Sequence, residues 1–328
     1  MEEIRLGTIG SGTIVHSFLD NVKITDGIRL AAVYSRDEET GRALAAKYSA
    51  DRSYTDMDAF LADEEINFVY IATPNHLHYE QAKRALLAGK NVICEKPFCP
   101  RAEQVRQLAD LAKAKGLFLT EAMPIACLPN LNILKAQLPR IGPIRLVQAN
   151  FSQYSSRYGQ VLQGQVPNVF SLQCAAGCLM DINVYNVYLT VALFGKPRTA
   201  VYYPNVRRGL ADTSGVLVMG YDGFTGQCTA AKDTWGINSY QIEGEDGYIY
   251  VPGNSSLLRE VQVVTKAGNE TFNVQGGRDR LFFEVQSITR LVLAGDHETF
   301  HNRMDVTLDV IDTLEQARRQ AGILFPGD

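Results

Sequence analysis

Four sets of residues have types and spacings suited to chemistry. Gly10-Ser11-Gly12-Thr13-Ile14 follows the apolar run Ile4 to Ile9 and supplies the first two glycines of a G-x-G-x-x-G turn. The first glycine permits a tight strand-to-helix turn, and the second lets backbone N–H groups approach a pyrophosphate at the helix N-terminus. Lys96 and Pro97 end the run NVICEKP. At the carboxyl end of a parallel strand, where open α/β sheets bind ligands, an ammonium can donate to a carbonyl oxygen, and proline fixes the backbone after it. Asp181 and Tyr185 stand at i and i+4, so one helical face carries a carboxylate able to orient a ligand and a phenol able to exchange a proton with an alkoxide. His297-Glu298-Thr299-Phe300-His301 fits H-E-x-x-H, the pattern that offers two imidazoles to zinc.

The hydrophobic pattern indicates the elements that must hold these groups. Through residue 122, the short apolar runs IRLGTIG, RLAAVYS, NFVYIAT, NVICEKP and LFLTEA alternate with amphipathic stretches. That alternation predicts a doubly wound parallel sheet with crossover helices over 1–122. Within it, AEQVRQLADLAKAKG reads as a helix stopped by Gly116. From 123 to 328 the texture changes. A helix near Leu131 to Leu138, the strand IRLVQANFSQY, a helix ending near Gly195, the strands TSGVLVMGY, FTGQCTAAKD and SYQIEGEDGYIYV, and helices over Asp279 to Leu293 and Met304 to Gln320 predict an α+β domain with a large, mostly antiparallel open sheet. Gly295-Asp296 reads as a helix stop leading into a polar connector. On that reading His297 and His301 share no helical face and hold no zinc.

Composition narrows the partners. A net charge of −4 with dispersed Lys and Arg gives no footprint for nucleic acid or an anionic membrane, so a small molecule is expected. The N-terminus lacks a basic region followed by an apolar one, and no apolar run approaches membrane-spanning length. The spacings of Cys94/Cys99 and Cys174/Cys178 match neither a zinc knuckle nor a secreted disulfide framework, so reduced thiols and a cytoplasmic location are expected. In TSGVLVMGY, Val216/Val218 and Leu217/Met219 are apolar on opposite faces, which predicts a homodimer or higher homo-oligomer covering one of them.

The second strand ends in Ser35-Arg36, where an Asp or Glu would bond the ribose 2′-hydroxyl of NAD. A hydroxyl and a guanidinium suit a 2′-phosphate instead, which favours NADP with NAD possible. Ser35 to Glu38 also fits an S-x-x-E capping box.

The segment IATPNHLHYEQAKRALLAGKNVICEKPF closely resembles the Gfo/Idh/MocA oxidoreductases, whose pattern has a TPN/H segment, then ALxAGKxVxxEKP, then G-G-x-x-x-D-x-G-x-[HY] in the second domain. The third element is matched in part by Ala176 to Tyr185, with Ala176 and Asn183 replacing family glycines. The resemblance spans essentially the whole chain. It implies that 1–122 is a Rossmann domain, and it implies hydride transfer between a nicotinamide and a hydroxyl or carbonyl of a sugar, polyol or vicinal diol. It also implies Lys96, Asp181 and Tyr185 as catalytic residues, and a cofactor held by Gly10, Ser11, Gly12, Thr13, Ile14, Ser35 and Arg36. Thr73, Pro74, Asn75 and His78 are placed beside the nicotinamide with Glu95, Lys96 and Pro97, without metal; Glu95 can equally hold local geometry alone. Lys232-Asp233 either reaches the substrate or ends a surface strand. The family also contains regulators that bind dinucleotide without turnover, marked by loss of the reacting residues, all of which this chain retains.

Overall fold

The computed structural model describes residues 2–328, which divide into two compact units: the residues up to Pro124 with Leu281–Leu308, and Ile125–Arg280 with Asp309–Asp328. A single boundary at 122 therefore leaves out a returning segment.

The first unit runs β1 (Ile4–Ile9), α1 (Thr13–Val22), β2 (Ile28–Tyr34), α2 (Glu38–Lys47), β3 (Arg52–Tyr54), α3 (Met57–Ala62), β4 (Phe68–Ile71), α4 (His78–Leu87), β5 (Asn91–Glu95), α5 (Ala102–Lys115) and β6 (Leu119–Ala122). Its sheet is parallel throughout, in the order β3-β2-β1-β4-β5-β6. The chain winds outward from β1 in one direction and, after β3, crosses back to β4, so β1 and β4 flank the switch point at whose carboxyl end such sheets take ligands. Short β3 and α3 escaped the sequence pattern because three and six residues are too few to show a period. Gly116 ends α5 at φ +64°, the left-handed cap the sequence indicates.

The second unit begins with α6 (Pro129–Gln137), β7 (Ile144–Ser152) and α7 (Tyr158–Leu162), then a π-helical turn, Leu179–Asn183, which runs directly into α8 (Val184–Phe194). Seven strands follow: β8 (Thr199–Val206), β9 (Asp212–Gly220), β10 (Thr225–Ala231), β11 (Ser239–Gly244), β12 (Gly247–Pro252), β13 (Val261–Thr265) and β14 (Gly268–Phe272). They join β7 in an eight-stranded sheet ordered β14-β13-β12-β11-β7-β10-β9-β8, antiparallel except where β10 pairs with β7. One face is core: Leu217, Met219, Cys228, Val147, Tyr240, Ile242 and Ile249 are buried. The opposite face, carrying Val216, Val218, Leu146, Tyr203 and Tyr248, is half-buried or exposed. The stretch Leu172–Phe194 corrects the reading that no run approaches membrane-spanning length. It qualifies by length and composition, yet 78% of its most apolar window is buried inside the protein, as in a core helix.

The chain closes with α9 (Arg280–Leu293) and α10 (His297–Gln320). Val285, Ile288, Leu291 and Val292 of α9 join Phe18, Leu30 and Phe68 in the core of the first unit, which explains why this segment returns there. The HETFH segment overturns its expectation. Gly295 (φ +69°) ends α9, and Asp296 then caps a new helix at once, accepting from the Thr299 N–H at 2.9 Å and the Thr299 hydroxyl at 2.7 Å. The D-x-x-T cap was the overlooked signal. His297 and His301 do lie on one helix, their ring centroids 6.3 Å apart, and His297 stacks on Phe118 at 3.8 Å. Among the described residues no group of three or more His, Cys, Asp or Glu side chains is placed to hold a metal ion.

Candidate active site

In the first unit a cavity of about 940 Å³ opens at the switch point, lined by Gly10, Ser11 and Gly12 after β1, by Ser35 and Arg36 after β2, and by Ala72, Thr73 and Pro74 after β4. Its size is that of a cofactor site. Gly10 adopts φ +124°, and a Cβ there would stand 2.4 Å from the Ala72 carbonyl oxygen, so the strand-end packing itself demands glycine. Gly12 is different: a Cβ there would meet nothing within 4 Å. The space beside it is open to a ligand, and no side chain caps α1 at this position. An uncapped helix N-terminus over an open cavity fits a pyrophosphate. Val15, at the third motif position, is buried and packs in the core.

Arg36 is exposed at the cavity wall, and among the described residues its guanidinium has no ion-pair partner. The capping-box reading of Ser35 is corrected. The cap of α2 is Asp37, which accepts from the Thr40 N–H at 2.8 Å, while Ser35 Oγ accepts from the Asp37 N–H at 3.2 Å. Ser35 and Arg36 thus stand outside the helix, on the cavity side. Tyr34, Met57, Leu77, Gln81 and Arg84 also line the cavity and were not anticipated, since their positions are set by fold rather than by a motif.

Thr13, Ile14, Asn75, His78, Glu95, Lys96 and Pro97 are not in that lining. His78 is fully buried, its ring nitrogens 2.8 Å from the Thr73 carbonyl oxygen and 3.0 Å from that of Pro97. It ties the loop after β4 to the loop after β5, and burial lowers its pKa. Glu95 is likewise buried: it accepts from the Tyr70 hydroxyl at 2.6 Å and from the Lys96 N–H at 3.2 Å. Both residues therefore position Lys96 and Thr73, which sequence reasoning could not separate from touching the cofactor. The Lys96–Pro97 peptide is cis. Glu121 on β6 supports the next residue, accepting from the Phe98 N–H and the Thr307 hydroxyl, each at 2.9 Å; burial raises its pKa to about 7.

In the second unit Asp181 sits within the π turn and Tyr185 in the first turn of α8, so the α-helical spacing assumed from the sequence is widened locally. Such turns recur at functional sites. Gly177 makes the turn possible: at φ +121°, its Cβ position lies 2.2 Å from Asp212 Oδ1. Asp212, buried, accepts from the Leu179 N–H and the Tyr202 hydroxyl, both at 2.6 Å, and burial raises its pKa to about 6. Asn183, where the family has glycine, is buried and donates to the Cys228 carbonyl at 3.0 Å, with Asn186 bonding Asn183 and the Thr229 carbonyl. That side chain fastens the turn to β10 rather than obstructing it.

Lys232, left open by the sequence, is buried at the end of β10 and donates to Asp181 Oδ2. Asp233 faces elsewhere, accepting from the hydroxyls of Thr213 and Ser214 at 2.6 and 3.0 Å. Tyr185 is buried beside Phe151, with the Arg280 guanidinium 5.3 Å from its ring centroid. Trp235, 76% exposed, stacks on Tyr154.

Comparison with known proteins gives the family and the fold. Residues 4–123 match an oxidoreductase family with an NAD-binding Rossmann fold, and residues 138–250 match the GFO/IDH/MocA C-terminal domain. The chain is 34% identical over 326 residues, 99% of both chains, to the scyllo-inositol 2-dehydrogenase (NADP(+)) IolU of Bacillus subtilis. It is 25% identical over 340 residues, again 99% of both, to the trans-1,2-dihydrobenzene-1,2-diol dehydrogenase of Sus scrofa. In fold it is similar to KijD10, a 3-ketoreductase from Actinomadura kijaniata solved with NADP and TDP-benzene, at a TM-score of 0.85 and 22% identity over 97% of this chain and 98% of that one. The chain belongs to the Gfo/Idh/MocA family of oxidoreductases.

Proposed function

We propose that the chain transfers a hydride between NADP and a hydroxyl or carbonyl of a sugar, polyol or vicinal diol. The observation that carries this reading is that Lys96, Asp181 and Tyr185 are all present and each is supported by buried polar neighbours: Glu95 beneath Lys96, Lys232 against Asp181, and the Asn183–Asn186 pair around the turn that launches Tyr185. A dinucleotide-binding regulator has no use for that support. The NADP preference rests on Ser35 and Arg36 at the cavity wall, where a guanidinium forks a phosphate, and the same preference is in the name of the Bacillus subtilis relative.

With its pyrophosphate held at the glycine turn by Gly10 to Gly12, a bound nicotinamide dinucleotide would supply the hydride acceptor or donor. The protein's part is the oxygen. Lys96 donates a hydrogen bond to it, Tyr185 or Lys96 carries its proton, and Asp181 orients the neighbouring hydroxyl. In oxidation the C–H pair leaves as hydride, the O–H proton passes to the base and then to solvent, and a ketone remains. Charge on that oxygen changes most in the transition state, so a cation and a proton carrier there lower the barrier more than they aid ground-state binding. The exposed face of Trp235 offers an apolar surface for a ring.

The half-exposed sheet face with Val216, Val218, Leu146 and Tyr203 supports a homo-oligomer, and six free cysteines fit a reducing cytoplasm. A panel of cyclitols, aldoses and vicinal diols assayed for NADP reduction tests the reading. Turnover on at least one class is expected. Tight NADP binding without turnover on any would favour the regulator.

A further inference from the structure

Lys232 is the one buried lysine among the described residues of the second unit, it takes no part in the proton and hydride steps above, and its ammonium is bonded to Asp181, which meets the substrate there. Its side chain is 8% exposed against 29% for Asp181, so the pair is sunk at the base of the π turn with only the carboxylate reaching outward. The ammonium also stands 5.6 Å from the Phe170 ring centroid. The backbone there is fixed from both sides: the Lys232 N–H donates to the Thr213 carbonyl at 2.8 Å, and the Lys232 carbonyl accepts from the Ser155 N–H at 2.9 Å.

The surroundings are acidic. Asp212 and Cys178 lie beneath the turn, Asp233 follows Lys232 in the chain, and the electrostatic influence of Lys232 reaches both Asp212 and Cys178. Asp181, Asp212 and Asp233 all act electrostatically on the Cys178 thiol, so the turn has acidic surroundings, in which a carboxylate is harder to ionise. A buried cation bonded to Asp181 reverses this for that residue.

We infer that Lys232 is a positioning residue that keeps Asp181 ionised and aimed, so that Asp181 acts toward the substrate purely as a hydrogen-bond acceptor. An ionised carboxylate accepts only. The ligand group it meets must therefore donate, which selects a substrate with a second free hydroxyl beside the reacting carbon and rejects ones in which that hydroxyl is missing or methylated. A site built to accept from a hydroxyl discriminates strongly, because the unmatched carboxylate is left without its donor. This inference rests on the proposed substrate role of Asp181.

The test uses Lys232→Met, Lys232→Arg, Asp181→Asn and the double variant Asp181→Asn/Lys232→Met. Carboxyl carbon NMR titration of the whole protein, with the Asp181 signal assigned by its loss in Asp181→Asn, should show proton affinity of Asp181 rising about tenfold or more in Lys232→Met and returning in Lys232→Arg. The acid limb of the kcat/KM profile should move to higher pH by the same factor. Lys232→Met should cost at least about tenfold in kcat/KM in the wild-type background and much less in Asp181→Asn, since residues acting as one unit are not additive. Discrimination against the O-methyl analogue should fall in Lys232→Met. An unchanged Asp181 titration in Lys232→Met, or an equal loss in both backgrounds, would overturn the inference. The titration needs no substrate, so it still decides the inference if no substrate class is turned over, in which case it is the functional reading that fails.

Discussion

The first unit arranges its ligand groups around open space, with backbone and exposed side chains doing the work: a bare Gly12 at an uncapped helix start and an exposed Arg36. The second unit arranges its groups by burial. Asp181 is held by a buried lysine, its turn by a buried asparagine, and the first residue of that turn by a buried aspartic acid. The contrast follows from what each must do. A cofactor's phosphates are recognised by N–H groups and a guanidinium that stay solvated until the ligand arrives, whereas a substrate oxygen must meet groups whose charge and direction are settled beforehand.

If the contrast holds, the largest effect comes from the buried side. Tyr185→Phe keeps the ring beside Phe151 and Arg280 but removes the proton carrier; a loss of turnover of about 10²-fold or more is expected, with NADP affinity unchanged in a fluorescence titration. A loss below about threefold would assign the proton to Lys96 alone.

Glu121 sharpens the comparison, because it is, like Glu95, a buried acid in the unit whose cavity-lining groups stay open. With a folded pKa of about 7 against an ordinary 4.5, it keeps its proton in the folded state over a window where the unfolded chain has released it. Stability contributed at this position therefore falls as pH rises through that window. Glu121→Gln preserves an acceptor for the Phe98 N–H, places an amide N–H that can donate to the Thr307 hydroxyl where the carboxyl oxygen accepted from it, and cannot ionise. Urea unfolding should show the variant gaining roughly 2–3 kcal/mol on wild type between acid and mildly alkaline pH. Parallel pH curves for the two proteins would show that Glu121 ionises normally.

A smaller effect is expected on the open side. Arg36→Ala should weaken NADP about tenfold and leave NAD affinity as it was, measured by calorimetric titration of both. Equal weakening of both cofactors would mean that Arg36 holds the loop rather than the 2′-phosphate. Smaller still in catalytic consequence, Val218→Glu on the half-exposed sheet face should convert an oligomer to monomer in sedimentation while the buried face keeps its fold.

The same contrast explains how much could be seen beforehand. Gly10 to Ile14, Ser35-Arg36 and the EKP segment are local patterns, because a turn between strand and helix is made by neighbours in sequence. The parallel sheet followed from the alternation of apolar runs and amphipathic stretches, whereas the order of its strands is read from the structure. What escaped was long-range. Lys232 meets Asp181 across 51 residues, Asn183 meets the Cys228 carbonyl across 45, and no spacing announces either pairing. The π turn escaped because i,i+4 spacing looks alike whether the helix is regular or widened, and the bracing bonds of His78 and Glu95 escaped because a buried brace and a binding residue share one motif. HETFH was misread for a simpler reason: Gly295 was taken as the end of structure, when Asp296 immediately caps another helix.

The central claim is that Lys96 serves the reacting oxygen. The most direct measurement is single-turnover reduction of NADP, at saturating cofactor and substrate, by wild type and Lys96→Ala. A rate lower by at least about 10²-fold in the variant, with cofactor affinity and unfolding midpoint unchanged, is expected. A wild-type rate in Lys96→Ala would contradict it.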